Sequence, residues 1–249
     1  MRRLFPYIAI VLLLAACNAG GGLRDYWKDG IRVSEDNYTQ AEDRFARFAE
    51  LLVAAPPAEA SKALDDLLER MKEDEVSYYI YSDWIESAFH NYFSPCRNPD
   101  IFRKAVERFA GDGILSVETV ERLQALAAQD QFNRPGSKCT LPQGVQASGA
   151  TLWLVLNLDC RTCLQSLSAM AGEHPEAEHI ALCFGWGPVP EASGWTYLKP
   201  EGMGEIFELE AAPFWFFTDA DGTVQIPYSA EGEAPQFATP QTLGSWSKT

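Results

Sequence analysis

At 249 residues the chain exceeds the usual size of one hydrophobic core, so two compact domains are expected. Its 47% apolar and 22% charged residues are ordinary globular composition and exclude a chain disordered throughout. Lysine and arginine number 20 against 35 acidic residues, a net charge of −15. Such a surface repels a phosphate backbone, so no nucleic-acid partner is expected.

In chain order, Arg2 and Arg3 precede an apolar stretch of eleven residues, Leu4 to Leu14. That is about half of the ~20 residues a spanning helix needs, so the segment reads as an export signal. Leu14-Ala15-Ala16-Cys17 follows and resembles a bacterial lipobox, where the cysteine receives a diacylglyceryl thioether and becomes the mature N-terminus. The resemblance implies a lipoprotein with residues 1–16 as signal peptide, Cys17 as the lipidation site and residues 17–23 as a Gly-rich tether. Lipid, not a protein helix, then attaches the chain to a membrane. The expected location is the cell envelope, facing the periplasm or the cell surface, where disulfides persist. Loss of Arg2 and Arg3 leaves 18 basic residues against 35 acidic ones, or −17.

From about Thr39 to Gln131 apolar residues recur at helical spacing. Phe45, Phe48 and Leu52 share one face; Leu64, Leu67, Leu68 and Met71 share another, and Pro56-Pro57 separates the two helices. A third helix is predicted from about Asp74 to Tyr92, turning Val76, Ile80, Trp84, Ile85 and Phe89 inward. Asn98-Pro99 is an N-cap and first-turn pair for a fourth, Asp100 to Ala110, closed by Gly111. Ser116 caps a fifth, with Val120, Leu123 and Leu126 inward. Residues 24–135 are thus predicted to form an all-α domain.

Residues 131–149 carry three Gly and two Pro and read as linker or loop. The pattern then changes. Thr151 to Leu158 is a continuous apolar run of strand length, as in a strand buried on both faces. A helix from about Arg161 to Ala171 follows, then a second run, His179 to Phe184, and a third, Phe214 to Thr218. Asp219 to Gly222 is a turn into Thr223 to Ile226, so the last two strands form a hairpin. Residues 145–249 are therefore predicted to form a mixed α/β sheet domain.

Cys160-Arg161-Thr162-Cys163 lies where the first buried strand meets its helix. A thiolate there faces unpaired N–H groups and the positive end of the helix dipole, which makes it a nucleophile near neutral pH. Cys163, one turn on, is placed to attack a mixed disulfide formed by Cys160. Asp159 sets a carboxylate beside this nucleophile and opposes thiolate formation unless it points into solvent.

The stretch from Ala150 to Ile226 resembles a thioredoxin-fold domain: buried strand, Cys160–Cys163 at the helix start, then Ala212-Pro213 before a strand and hairpin. Pro213 to Gly222 is similar to the matching stretch of membrane-linked bacterial thiol-disulfide oxidoreductases. The resemblance implies a cis peptide at Pro213, with Ala212 and Pro213 binding an extended substrate beside the catalytic cysteines. It also implies exchange with thiols and disulfides of exported proteins, a membrane electron donor or acceptor, and no cofactor. Two departures stand out: Leu158-Asp159 replaces the Trp often found before the first cysteine, and the buried carboxylate of thioredoxin has no clear counterpart. Residues 24 to 135, with Asp25-Tyr26-Trp27 and Ser94-Pro95-Cys96-Arg97-Asn98, resemble a helical domain of unknown function that precedes thioredoxin-like domains in bacterial lipoproteins; no activity comes with it.

Other readings compete at several positions. Cys160 and Cys163 suit a structural disulfide as well as a redox pair. Zinc is not expected, because His90, His174 and His179 form no ligand spacing with the cysteines. Cys183 reads as a core thiol. Cys96 and Cys139 sit in loop-like settings; a disulfide between them, two unpaired thiols, or Cys139 as a further partner of Cys160 are the alternatives. Gly185-Trp186-Gly187-Pro188 follows a strand directly and is a candidate wall beside the cysteine pair, although most aromatic residues read as core. The competing function is a non-enzymatic scaffold lipoprotein with a redox-inactive thioredoxin-like fold.

Overall fold

A computed structural model describes residues 22–170, 172–190 and 194–229. The chain divides after Gln124 into two compact units. The first is helical. Its helices are α1 (Tyr38–Ala54), α2 (Pro57–Met71), α3 (Glu75–Phe89), α4 (Pro99–Asp112) and the first part of α5 (Val117–Gln129). Phe45, Phe48 and Leu52 of α1 are buried, as are Leu64, Leu67, Leu68 and Met71 of α2. The N-terminal segment belongs to the same core: Trp27 is fully buried, edge-on to Phe48 and Tyr81, with the Arg44 guanidinium 4.7 Å from its ring centroid.

Two details differ from the helical periodicity. Val76, expected inward, is 62% exposed, while Ser77, Tyr78 and Tyr81 are buried. The reason is the start of α3: the Asp74 carboxylate accepts from the Ser77 N–H at 2.9 Å, and the Ser77 hydroxyl accepts from the Val33 N–H at 2.8 Å. Those bonds turn Ser77 inward and rotate the preceding valine to solvent. Helix α4 is capped as expected, with the Asn98 side chain accepting from the N–H groups of Asp100 and Ile101, but it ends at Gly113 instead of Gly111. Gly113 is the residue at positive φ, +67°, a conformation that closes a helix with no Cβ penalty.

The second unit is a five-stranded mixed sheet. Its strands are β1 (Thr151–Asn157), β2 (Glu178–Phe184), β3 (Thr196–Leu198), β4 (Phe214–Thr218) and β5 (Val224–Ser229), in the order β3-β2-β1-β4-β5. Helix α6 (Arg161–Met170) joins β1 to β2, which pair in parallel, as a crossover connection requires. Strand β3 adds in parallel at the far edge of β2; β4 returns antiparallel on the other side of β1, and β5 pairs with it as a hairpin. β1 is central and buried on both faces. Leu152, Leu154 and Leu156 meet Leu167 and Met170 of α6, together with Ala181, Cys183 and Trp215. On the opposite face Trp153 stacks on Phe216, and Phe207, just after the short helix α7 (Met203–Ile206), packs against Phe214 and Phe216.

Residues 131–149 contain no helix or strand but are tied to the sheet. The Gly136 N–H donates to the Val224 carbonyl at 2.8 Å, the Val224 N–H donates to the Ser137 carbonyl at 2.9 Å, the Cys139 N–H donates to the Gly222 carbonyl, and Lys138 bridges to Thr223. The segment therefore covers the β4–β5 turn, and the division between units falls earlier, within α5.

Candidate functional site

Cys160 is the residue before the first turn of α6. The Leu164 N–H donates to its carbonyl at 3.3 Å, the first bond of the helix, and the Cys163 N–H donates to its sulfur at 3.2 Å. Cys160 thus acts as an N-cap, with Sγ in the place of a capping oxygen. A thiolate accepts that bond better than a thiol, so the contact favours the charged form. Cys160 is half-buried and reachable, whereas Cys163 is fully buried against Leu156, Leu158 and Leu167. Burial first, and then the hydrogen bond with Cys160, push the Cys163 thiol up to about 11.

Sheet register brings the proline to the same end. Val155 faces Phe214 across the antiparallel β1–β4 pair, so the end of β1 that leads to Cys160 lies beside the entry to β4. That entry is the Ala212-Pro213 peptide, which is cis, with both residues half-buried. On the other side, Asn157 pairs with Phe184, so Gly185 and Trp186 leave β2 next to the cysteine loop.

Asp159 is neither beside the sulfur as an unengaged charge nor directed only at water. Its carboxylate accepts from the Trp186 N–H at 2.9 Å, while its own N–H donates to the Asn157 side chain at 2.9 Å. The contact joins the cysteine loop to the loop that leaves β2. No local signal announces this, because it depends on the register of β1 against β2.

The described cysteines are all thiols. Cys96 belongs to the helical unit, and burial pushes its thiol up. Cys139 lies in the loop on the β4–β5 turn, pushed up by burial to about 12. Cys183 is buried in β2, facing the same core cluster as Cys163, and burial raises it to about 11. Cys17 lies outside the described residues. Among the described residues no group of three or more His, Cys, Asp or Glu is arranged to hold a metal ion, and no helix is long and apolar enough to cross a membrane.

These thiols give a pH prediction. A raised pKa keeps a thiol protonated, so below about pH 9 iodoacetamide should modify Cys160 well before Cys139, Cys163 and Cys183. The stability held by the three protonated thiols is full below their ordinary value of 9 and is lost as pH rises through about 11 to 12. Peptide mass spectrometry of timed alkylation checks the order; fast modification of Cys163 at pH 7 contradicts it.

The sheet order, the helix that begins at the first cysteine and the facing cis-proline define a thioredoxin-like fold. A crystal structure of a thioredoxin-like protein from Bacteroides caccae is similar to this chain, at 19% identity and a TM-score of 0.64, covering 86% of this chain and 89% of the other. At that identity the likeness shows the fold. No protein-family model matches the sequence, and no curated protein matches it.

Proposed function

We propose that the second unit exchanges thiols and disulfides with exported proteins through Cys160 and Cys163, and that Cys17 attaches the chain by lipid to a membrane of the cell envelope. The observation that carries the reading is the 3.2 Å bond from the Cys163 N–H to the Cys160 sulfur, with one thiol reachable and the other buried. Cys160 thiolate attacks a substrate disulfide, forming one S–S bond and releasing the first substrate sulfur as thiolate. Cys163 then gives up its proton and attacks the Cys160 sulfur, releasing the second substrate sulfur. The substrate gains two electrons and the protein keeps a Cys160–Cys163 disulfide, which a dithiol donor at the membrane reduces; a disulfide acceptor in its place drives the reverse direction. Ala212 and Pro213 border the position of the attacked disulfide and form the substrate-binding edge.

The test is capture. A Cys163→Ser chain cannot complete the second step, so it should accumulate mixed disulfides with exported proteins, linked through Cys160 and released by dithiothreitol. Absence of such adducts, together with failure of the unaltered chain to reduce insulin, would favour the scaffold reading.

A further inference from the structure

Among the described residues of the second unit, the exposed large apolar side chains are Trp186, at 95%, and Val189, at 47%. Both lie on the loop that leaves β2. The backbone that carries Trp186 is held on both sides against the residues before Cys160. Gly185 has φ +89°, and a Cβ there would meet the Asp159 carboxylate oxygen at 2.5 Å and the Asn157 side-chain oxygen at 2.7 Å. At Gly187 a Cβ would meet the Leu158 carbonyl oxygen at 2.2 Å. Between them the Trp186 N–H is held by Asp159, and the Leu158 N–H donates to the Phe184 carbonyl at 2.9 Å. Asn157, Leu158 and Asp159, the three residues before Cys160, therefore grip the loop that carries the indole.

Position across the sheet defines what such an indole meets. Trp186 follows β2 and Pro213 precedes β4; these strands flank β1, which leads to Cys160. Neighbouring strands are about 4.8 Å apart, so the two features stand roughly 10 Å apart across the cysteine, the length of about three residues of extended chain. Charge beside the cysteine is balanced, with Asp159 and Arg161 on either side of it, despite the −15 of the whole chain. The Asp159 carboxylate is already engaged by a backbone N–H. The loop from Trp186 to Val189 adds exposed apolar surface beside them.

We propose that Trp186 is the specificity-determining contact of the redox site, selecting disulfides in extended polypeptide segments whose cysteine is flanked by apolar or aromatic residues. The inference rests on the exchange activity proposed above and names its substrate class. With the substrate cysteine against Cys160 and one neighbour at the Pro213 side, the opposite neighbour lies on the indole face.

Two peptides test it, Ser-Phe-Cys-Phe-Ser and Ser-Gly-Cys-Gly-Ser, each with its cysteine linked to 5-thio-2-nitrobenzoate. Attack by Cys160 on the peptide sulfur forms the mixed disulfide and releases the coloured thiolate, the same leaving group in both. In the Cys163→Ser chain the phenylalanine peptide should react faster by about tenfold, a preference that Trp186→Ala abolishes and Trp186→Phe largely keeps. A preference unchanged in Trp186→Ala, or an equal slowing of both peptides, overturns the proposal. Binding of the phenylalanine peptide with serine in place of cysteine, followed by calorimetry, separates the two readings. Binding that depends on Trp186 with no release of the coloured thiolate refutes the exchange activity and keeps the contact; release from both peptides at rates indifferent to Trp186 refutes the contact and keeps the activity.

Discussion

Replacing Cys160 by serine should abolish reduction of insulin disulfides by the protein, a loss on the order of 10³-fold or more, leaving only the rate of the dithiothreitol control. A hydroxyl at the same N-cap accepts the Cys163 N–H as well as sulfur does, so α6 keeps its first turn and the fold survives. What disappears is the thiolate. Cys163 cannot substitute for it, being fully buried and held up to about 11, so it is both unreachable and protonated at neutral pH. Burial is the first cause of that elevation, and Cys163 must lose its proton before it can attack a mixed disulfide. Single-turnover resolution of a preformed mixed disulfide should accordingly speed up as pH rises from 7 towards 11, and stopped-flow mixing measures it. Substantial insulin reduction by the Cys160→Ser chain would refute the assignment.

Why some of this site is legible in the sequence and some is not follows from range. The run from Thr151 to Leu158 announces a strand buried on both faces, because β1 has neighbours above, below and on either side. Cys160 before a helix start and Phe214 to Thr218 as a strand are likewise local patterns, and the structure has both. Strand β3 has only three residues, Thr196 to Leu198, too few for periodicity; its pairing with β2 defines it. The Gly185-Trp186-Gly187 sequence marks an unusual turn. Its close approach to Leu158 and Asp159, however, exists only when β1 and β2 are in register, a contact across some 27 residues of chain. The same range explains Asp159: its neighbour in sequence is Cys160, but its partner in space is a backbone N–H of the next strand's exit.

The largest effect on stability is expected at Trp153→Ala. Trp153 is fully buried in the central strand, its ring parallel to Phe216 within 10° at a centroid separation of 5.8 Å. Its indole N–H donates to the Thr218 hydroxyl at 3.0 Å, within a region where Thr218 is itself buried. Alanine removes the ring and leaves a cavity over that face of β1 and β4, whose backbones the ladder holds in place, a cost of about 3–5 kcal/mol. The abandoned Thr218 hydroxyl adds about 1 kcal/mol or more. Against the 5–15 kcal/mol that holds a typical domain, that is a large share, and the unfolding midpoint should drop by roughly 10–25 °C. Trp153→Phe keeps an aromatic face on Phe216 and loses the hydrogen bond and part of the volume, so it should cost less than half as much. Urea titration of both variants in the full chain, followed by near-ultraviolet circular dichroism, compares them; a Trp153→Ala loss below about 1 kcal/mol would mean this face of β1 is not a packed layer. The consequence reaches the chemistry, because β1 ends at Asn157 and the next three residues carry Cys160. Any loosening of β1 against β4 also shifts the loop that Asn157 and Asp159 hold, so exchange activity should fall in the Trp153→Ala chain at temperatures where most molecules remain folded.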